Sequence, residues 1–304
     1  MDFESLLPWN WAKLDPKRTQ AARAHFDVMG RYNLWHSNCL KQFRRKTTAS
    51  AGELAIKGVE VIRLLSPREA SDIKALLLGN SEQFSAAKKS IDYADVMRFK
   101  DSEFLRPVVE KMLNKAVDAK ITSVFGSEYY VHSLVANRTM PAKASRRSFL
   151  WHCDRGPKNF LKINMFLDAT SEHGGTTEFL DLASSQAFED AGYTFGANAR
   201  RVADLGPVAR KFGGTVNVIH PQLEAGEAFM FFPARSLHRG FLPTRGIRHM
   251  LSIVLLPSPI HWSEAWKRTA ETGYHLKTFA TFPDNAESLF AELGLAGKLL
   301  DNAA

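Results

Sequence analysis

From Glu128 onward the spacing of apolar residues changes period. Before it, residues 102–124 carry Phe104, Leu105, Val108, Val109, Met112 and Leu113 at helical intervals. After it, Tyr129-Tyr130-Val131-His132-Ser133-Leu134-Val135 reads as a strand, and strands dominate to about Leu256. Gly174-Gly175 and Gly213-Gly214 mark turns within that block. Upstream, Val59 to Leu64 is a further strand, and Ser66-Pro67-Arg68-Glu69 is a capping box opening a helix through Leu78. Asp15-Pro16 starts an earlier helix that runs to about Arg45, and 47–53 is a loop. A helix resumes over Trp262 to Glu271, and Asp284 with Glu287 caps a last one through Leu293. Helices first, many short strands second and short helices last predict an α+β fold on a sandwich or barrel core.

Inside the strand-rich block lies Phe149-Leu150-Trp151-His152-Cys153-Asp154. On a strand, side chains two apart share a face. His152 and Asp154 then present an imidazole and a carboxylate together, and Cys153 points away. A third ligand is available at His238, just beyond the apolar run Phe229-Met230-Phe231-Phe232. Two histidines and one carboxylate with open positions form the facial triad of non-haem Fe(II) sites. The plain alternative is a buried histidine hydrogen-bonded to an aspartate. A second His-x-Asp, His25-Phe26-Asp27, sits in a helical stretch. Residues two apart on a helix diverge by about 200°, so that copy cannot share a metal.

Ten residues after His238 comes Arg248, at the entry to Met250-Leu251-Ser252-Ile253-Val254-Leu255-Leu256. An arginine entering an apolar strand needs a partner, because an unpaired buried charge is costly. That partner is either a protein carboxylate or a bound one held bidentately.

Composition narrows the setting. The chain has 304 residues, enough for one large domain or two small ones. No apolar run approaches the ~20 residues of a membrane span, and the first residues lack the pattern of a signal peptide. Cys39 and Cys153 make no disulfide framework, so a cytoplasmic location is expected. The formal charge of +8 is compatible with an anionic substrate, nucleic acid or a solvated basic surface.

These residues resemble the phytanoyl-CoA dioxygenase-like branch of the Fe(II)/2-oxoglutarate-dependent oxygenases, over about residues 54 to 258. The matching pieces are Trp151-His152-Cys153-Asp154, Leu161-Lys162-Ile163-Asn164-Met165-Phe166-Leu167-Asp168, Gly174-Gly175-Thr176, Gly226-Glu227, His238-Arg239-Gly240 and Arg248. The resemblance implies a double-stranded β-helix (jelly-roll) core with flanking N-terminal and C-terminal helices. It divides the chain into a helical extension (1–53), the oxygenase domain (54–260) and a helical segment (261–304), together one structural domain. It implies Fe(II) held by His152, Asp154 and His238, and 2-oxoglutarate with its distal carboxylate on Arg248. Asn164, and more weakly Asn137, are the positions from which such proteins touch the cosubstrate; both also suit ordinary strand hydrogen bonding. The serine or threonine often found two residues after the distal histidine is Gly240 here, so Ser252 is the candidate helper for Arg248.

The implied reaction consumes O2 and 2-oxoglutarate, releases succinate and CO2, and usually hydroxylates a small, anionic or carrier-bound molecule. Membranes and nucleic acid are not expected partners. Asp154 argues against a halogenase, which lacks that carboxylate. The other alternative is a non-catalytic jelly-roll ligand-binding protein. Lys143, Arg146, Arg147, Arg155, Lys158, Arg235, Arg239 and Arg245 cluster in the site-bearing segments and suit an anionic substrate. Trp151, Phe149 and Phe231 are candidates for a dry wall. The stretch 184–224 matches no pattern; its apolar residues Phe188, Tyr193, Phe195, Val202 and Leu205 look too scattered for a core. Loops of that length are often functional, and a mobile cover bearing Arg200, Arg201 and Arg210 is the expectation.

Overall fold

A computed structural model describes residues 52–81, 85–86, 94–98, 105–143, 147–154, 158–191, 193, 201–258 and 261–266. The helices expected from Asp15 and Asp284, His25-Phe26-Asp27, Cys39, Arg146, Arg155, Phe195 and Arg200 lie outside them.

The expected class is observed: an α+β fold on a jelly-roll core. Helix α1 (Gly52–Lys57) replaces the end of the expected 47–53 loop and leads into strand β1 (Val59–Arg63). Helix α2 (Pro67–Gly79) follows, with the Ser66–Glu69 capping box formed as read. Next come β2 (Ser85–Ala86) and β3 (Ala94–Arg98). The helix expected over 102–124 is two helices, α3 (Arg106–Met112) and α4 (Lys115–Phe125). Asn114 makes the break, because its side chain accepts from the amides of Ala116 and Val117 and so caps α4. Then follow β4 (Glu128–Thr139), β5 (Leu161–Phe166), α5 (Thr170–His173), β6 (Thr177–Leu180), α6 (Leu182–Asp190), α7 (Gly206–Ala209), β7 (Val218–Ile219), β8 (Glu227–Phe231), β9 (His238–Gly240) and β10 (Arg248–Ser258). No helix among the described residues is long and apolar enough to cross a membrane.

Seven strands form one antiparallel sheet in the order β1-β8-β5-β10-β4-β3-β2, and three form a second, β7-β6-β9. Period-two alternation divides the large sheet's side chains between two environments. Ile163, Met165, Leu251, Ile253, Ala228 and Met230 face outward and pack under α2, α3 and α4. Phe166, Phe229, Phe231 and Val59 face inward and meet Phe179 of the small sheet. Phe179 lies edge-on to both Phe229 and Phe231, with ring centroids 5.1 Å apart in each pair. Lys162, Asn164, Ser252 and Arg248 interrupt this apolar inner face. They follow from register: Asn164 pairs with Ser252 and Phe229, and Lys162 with Val254 and Phe231. Four polar side chains between two sheets need a function or a partner.

The stretch 184–224 corrects its expectation. Phe188, Leu205 and Ala209 are buried with Trp151, Cys153, Leu180 and Leu237, and Tyr193, Val202 and Phe212 pack against them. Scattered in sequence, these side chains do share a core, because α6 and α7 bring them to one place. The Tyr193 hydroxyl donates to the Trp151 carbonyl (3.2 Å), and Trp151 N–H donates to Val202 O (2.9 Å). Trp151 and Cys153 point away from His152 and Asp154, so the described part of the segment buttresses the ligand-bearing turn from behind. Phe188 is fully buried there. Phe188→Ala should therefore cost about 3–5 kcal/mol in urea unfolding, where a mobile cover would show almost no change.

Candidate metal centre

His152 and His238 exchange backbone hydrogen bonds, each N–H donating to the other's carbonyl at 2.9 Å. In an antiparallel pair this geometry sets both side chains on one side. His152 is not within a strand; this single bridge is its only ladder contact. Asp154 is fixed separately, its N–H donating to Pro233 O (2.7 Å). The alternation read for residues 151–154 holds nonetheless. Cys153 is buried on the buttress side, where burial first and then the Asp154 charge push its thiol well above its ordinary range.

The ligand atoms of His152, Asp154 and His238 all lie within 4.8 Å of one another. Asp154 Oδ1 is 3.3 Å from His152 Nε2 and 4.0 Å from His238 Nε2. Ligands about 2.1 Å from one octahedral ion sit roughly 3 Å apart, so the spacing suits a divalent cation. The tautomers agree. His152 Nδ1 faces Leu150 O at 2.7 Å and His238 Nδ1 faces Ser236 O at 2.8 Å. A carbonyl only accepts, so each Nδ1 carries the proton and each Nε2 turns a lone pair toward Asp154 Oδ1. Such a cluster of lone pairs calls for a cation between them. A plain His–Asp hydrogen bond accounts for His152 and Asp154 alone and does not explain why His238 Nε2 converges on the same oxygen.

Electrostatics prepare the ligands. Burial, then the neighbouring His152, lowers the His238 pKa to about 3, which keeps the ring neutral and able to coordinate. Burial alone would raise the Asp154 pKa; the Lys162 charge outweighs it and holds the carboxyl well below its ordinary range. Phe231 and Phe179 floor the site beside His238, at 5.2 and 6.2 Å between centroids. Phe231 thus occupies the expected dry wall, while Trp151 packs behind it and Phe149 lies elsewhere, beside Arg248.

Arg248 is 4% exposed, between the sheets. Its Nη1 donates to Thr176 O (3.1 Å) and Phe241 O (3.2 Å), and its Nη2 to Thr139 Oγ1 (3.3 Å). Nε has no partner. Burial lowers its pKa to about 10, leaving it charged at neutral pH. Among the described residues no carboxylate pairs with it, so the ion pair considered for it within the protein is not seen there. The edge formed by Nε and the second Nη2 hydrogen has the fork geometry that can grip a carboxylate. Asp168 holds the start of β10 in place, accepting from His249 N and from its Nδ1 at 2.8 Å each.

Ser252 is not the helper of Arg248: its hydroxyl donates to Asn164 Oδ1 (2.7 Å), leaving the Asn164 amide hydrogens available. The helper's place is taken by Thr139, opposite Arg248 across β4 and β10. Gly240 lacks a hydroxyl for a steric reason. A Cβ there would lie 2.9 Å from the Phe149 ring, which itself stacks under Arg248 at 5.9 Å. Asn137 is half-buried on β4, opposite Met250. Of the basic cluster, Lys158 pairs with Glu189, Arg239 with Glu178, and Arg245 donates to the carbonyls of Ser171 and Glu172. Three of those cations thus serve the protein itself. Sequence reasoning gave no role to Lys162, whose Nζ donates to Asp154 Oδ2 (3.1 Å). Its signal was a lone cation inside Leu161-Lys162-Ile163.

No family model and no curated protein sequence matches the chain. Solved structures do. The apo crystal structure of EctD from S. alaskensis superposes with a TM-score of 0.50 at 14% identity, covering 71% of this chain and 80% of that one. SnoK, a non-haem alpha-ketoglutarate-dependent carbocyclase from nogalamycin biosynthesis, gives 0.49 at 13% identity, over 70% and 86%. HygX from Streptomyces hygroscopicus, with nickel and 2-oxoglutarate bound, gives 0.46 at 14% identity, over 71% and 89%. The EctD likeness establishes a shared fold, and a fold alone does not fix chemistry.

The depressed His238 pKa has a consequence for the metal-free protein. Between about pH 6.5 and 3 the unfolded chain binds a proton that folded His238 refuses. Its contribution is full above pH 6.5 and declines as pH falls, by at most about 1.4 kcal/mol per pH unit. Urea unfolding with chelator at pH 6.5 and 4.5 should show a smaller pH slope in His238→Gln than in the wild type.

Proposed function

We propose that this chain is a non-haem Fe(II)- and 2-oxoglutarate-dependent dioxygenase that oxidises a small molecule. The observation that supports this best is the buried Arg248 guanidinium, without a carboxylate among the described residues, in a fold that also gathers a three-ligand cluster with no fourth ligand among those residues. A structural metal site would be closed by a fourth ligand. A binding module has no use for both an incomplete metal ligand set and a buried guanidinium with no carboxylate partner.

His152 Nε2, His238 Nε2 and Asp154 Oδ1 would hold ferrous iron. Iron with 2-oxoglutarate and O2 supplies the oxidising chemistry, with succinate and CO2 as coproducts. The chain's own share is placement. Arg248 receives the distal carboxylate through its Nε and Nη2 edge, with Thr139 steadying the guanidinium. Asn164, oriented by Ser252, offers its amide to the same ligand, and Asn137 is a second candidate. Phe179 and Phe231, backed by Phe229, pack beside His238 and would keep water from that side of the metal. Hydroxylation is the reaction class we assign, within the phytanoyl-CoA dioxygenase-like branch and in the cytoplasm. Residues 54–260 form its catalytic domain.

Two measurements test the reading. Asp154→Ala should abolish succinate release and substantially weaken Fe(II) binding while the metal-free protein melts within a few degrees of wild type. Turnover surviving in that variant would remove the metal assignment. Arg248→Met should weaken 2-oxoglutarate binding by roughly 10²-fold or more, from the about 3–5 kcal/mol cost of breaking a buried pair, and leave Fe(II) binding near wild type. Equal losses for both ligands would make Arg248 a structural residue.

A further inference from the structure

We propose that Lys162 is a positioning residue that restricts Asp154 to a single coordinating oxygen and so keeps one more metal position open. The inference rests on the metal-centre reading above. The two oxygens of Asp154 have different surroundings. Oδ1 faces the two imidazole Nε2 atoms, and Oδ2 accepts from Lys162 Nζ. An aspartate left alone beside a divalent ion can bind it through both oxygens. A charge-assisted hydrogen bond on Oδ2 opposes that, because it draws electron density and the oxygen itself toward the ammonium, so coordination through Oδ2 would have to weaken a strong bond.

The fold makes Lys162 a rigid holder. It lies on β5, paired on one side with β8 and on the other with β10. Its ladder neighbours on the inner face, Phe231 and Val254, are apolar and buried. Asp154 is the one carboxylate that pairs with it among the described residues. Its side chain is 25% exposed, so the stem crosses an apolar floor to reach a single acceptor. A lysine that served solubility would not sit there. An octahedral ion with three single-atom protein ligands keeps three positions, enough for a bidentate 2-keto acid and O2 together. A two-oxygen aspartate would leave two.

The number of open positions can be counted with Mn(II), which favours octahedral oxygen-rich coordination. Water-proton relaxation of the Mn(II)-loaded protein reports its exchangeable bound waters. Lys162→Met frees Oδ2 and should lower the relaxation enhancement by about a third. Lys162→Arg, which can still donate to Oδ2, should restore it. Equal relaxation in wild type and Lys162→Met, both shown to be fully loaded, would overturn the proposal and leave the metal-centre reading intact. Failure of the wild type to bind Mn(II) or Fe(II) at all would overturn both. Should Lys162→Met not fold, Lys162→Gln serves instead. Its shorter amide falls short of Oδ2, so the same one-third loss is expected, and wild-type relaxation with Oδ2 out of its reach in the crystal structure of the variant would count against the idea.

Discussion

The site depends on one pair of backbone hydrogen bonds, those exchanged by His152 and His238. The two residues are far apart in sequence: His238 lies on β9 at the small sheet's edge, and His152 lies outside any strand. This bridge sets their imidazoles side by side, with ring centroids 4.5 Å apart, and the Nδ1 contacts to Leu150 O and Ser236 O fix how each ring turns. A single bridge is a weak element by itself. Its strength comes from what backs it: Trp151 and Cys153 on one side of the turn, and Leu180, Leu237 and Phe188 beneath them. Ser185 adds a further tie, its hydroxyl accepting from Leu237 N–H at 2.9 Å. The apolar cluster behind the turn thus supplies the rigidity that a three-ligand site requires.

Much of this was legible in the sequence because it follows from local rules. Strand alternation separates residues 151 and 153 from 152 and 154, and that separation survives although the segment forms no true strand. The Ser66–Glu69 cap and the strand at Leu161 are equally local. What sequence could not supply is register. Ser252 looked like a partner for Arg248 because both lie on one strand. The ladder instead sets Ser252 against Asn164 and Arg248 against Thr139. Gly240 looked like a missing hydroxyl, and it is a place where the Phe149 ring leaves no room. The stretch 184–224 looked coreless because its apolar residues have no period. They gain one only by packing on Trp151, which belongs to another part of the chain.

The helix read over 102–124 failed for a different reason. Its apolar spacing is genuinely helical on both sides of Leu113, and periodicity alone cannot see a cap. The side chain of Asn114 satisfies two amide donors and starts a new helix. The break lets α3 and α4 both lay apolar faces on the large sheet, which one straight helix could not do over its curved surface. This outer packing leaves the sheet's inner face free to carry polar residues.

Charge on that inner face gives the proposed chemistry its physical logic. Lys162 and Arg248 contribute two positive charges, and Asp154 contributes one negative. A divalent ion in the triad raises the local sum to about +3 by this count. Arg248 is buried, and Phe166, Phe179, Phe229 and Phe231 line the space between the sheets, so its repulsion is screened less than that of surface charges. A dianion that spans from the metal to Arg248 lowers the sum to about +1 and satisfies the orphaned Nε at the same time. Metal and dianion then bind cooperatively, since each lessens the electrostatic cost of the other. A neutral ligand would leave Arg248 buried and unpaired, and a monoanion at the metal alone would leave the fork empty. On the proposed reading, charge therefore favours a small dicarboxylate with one end for the metal and the other for Arg248.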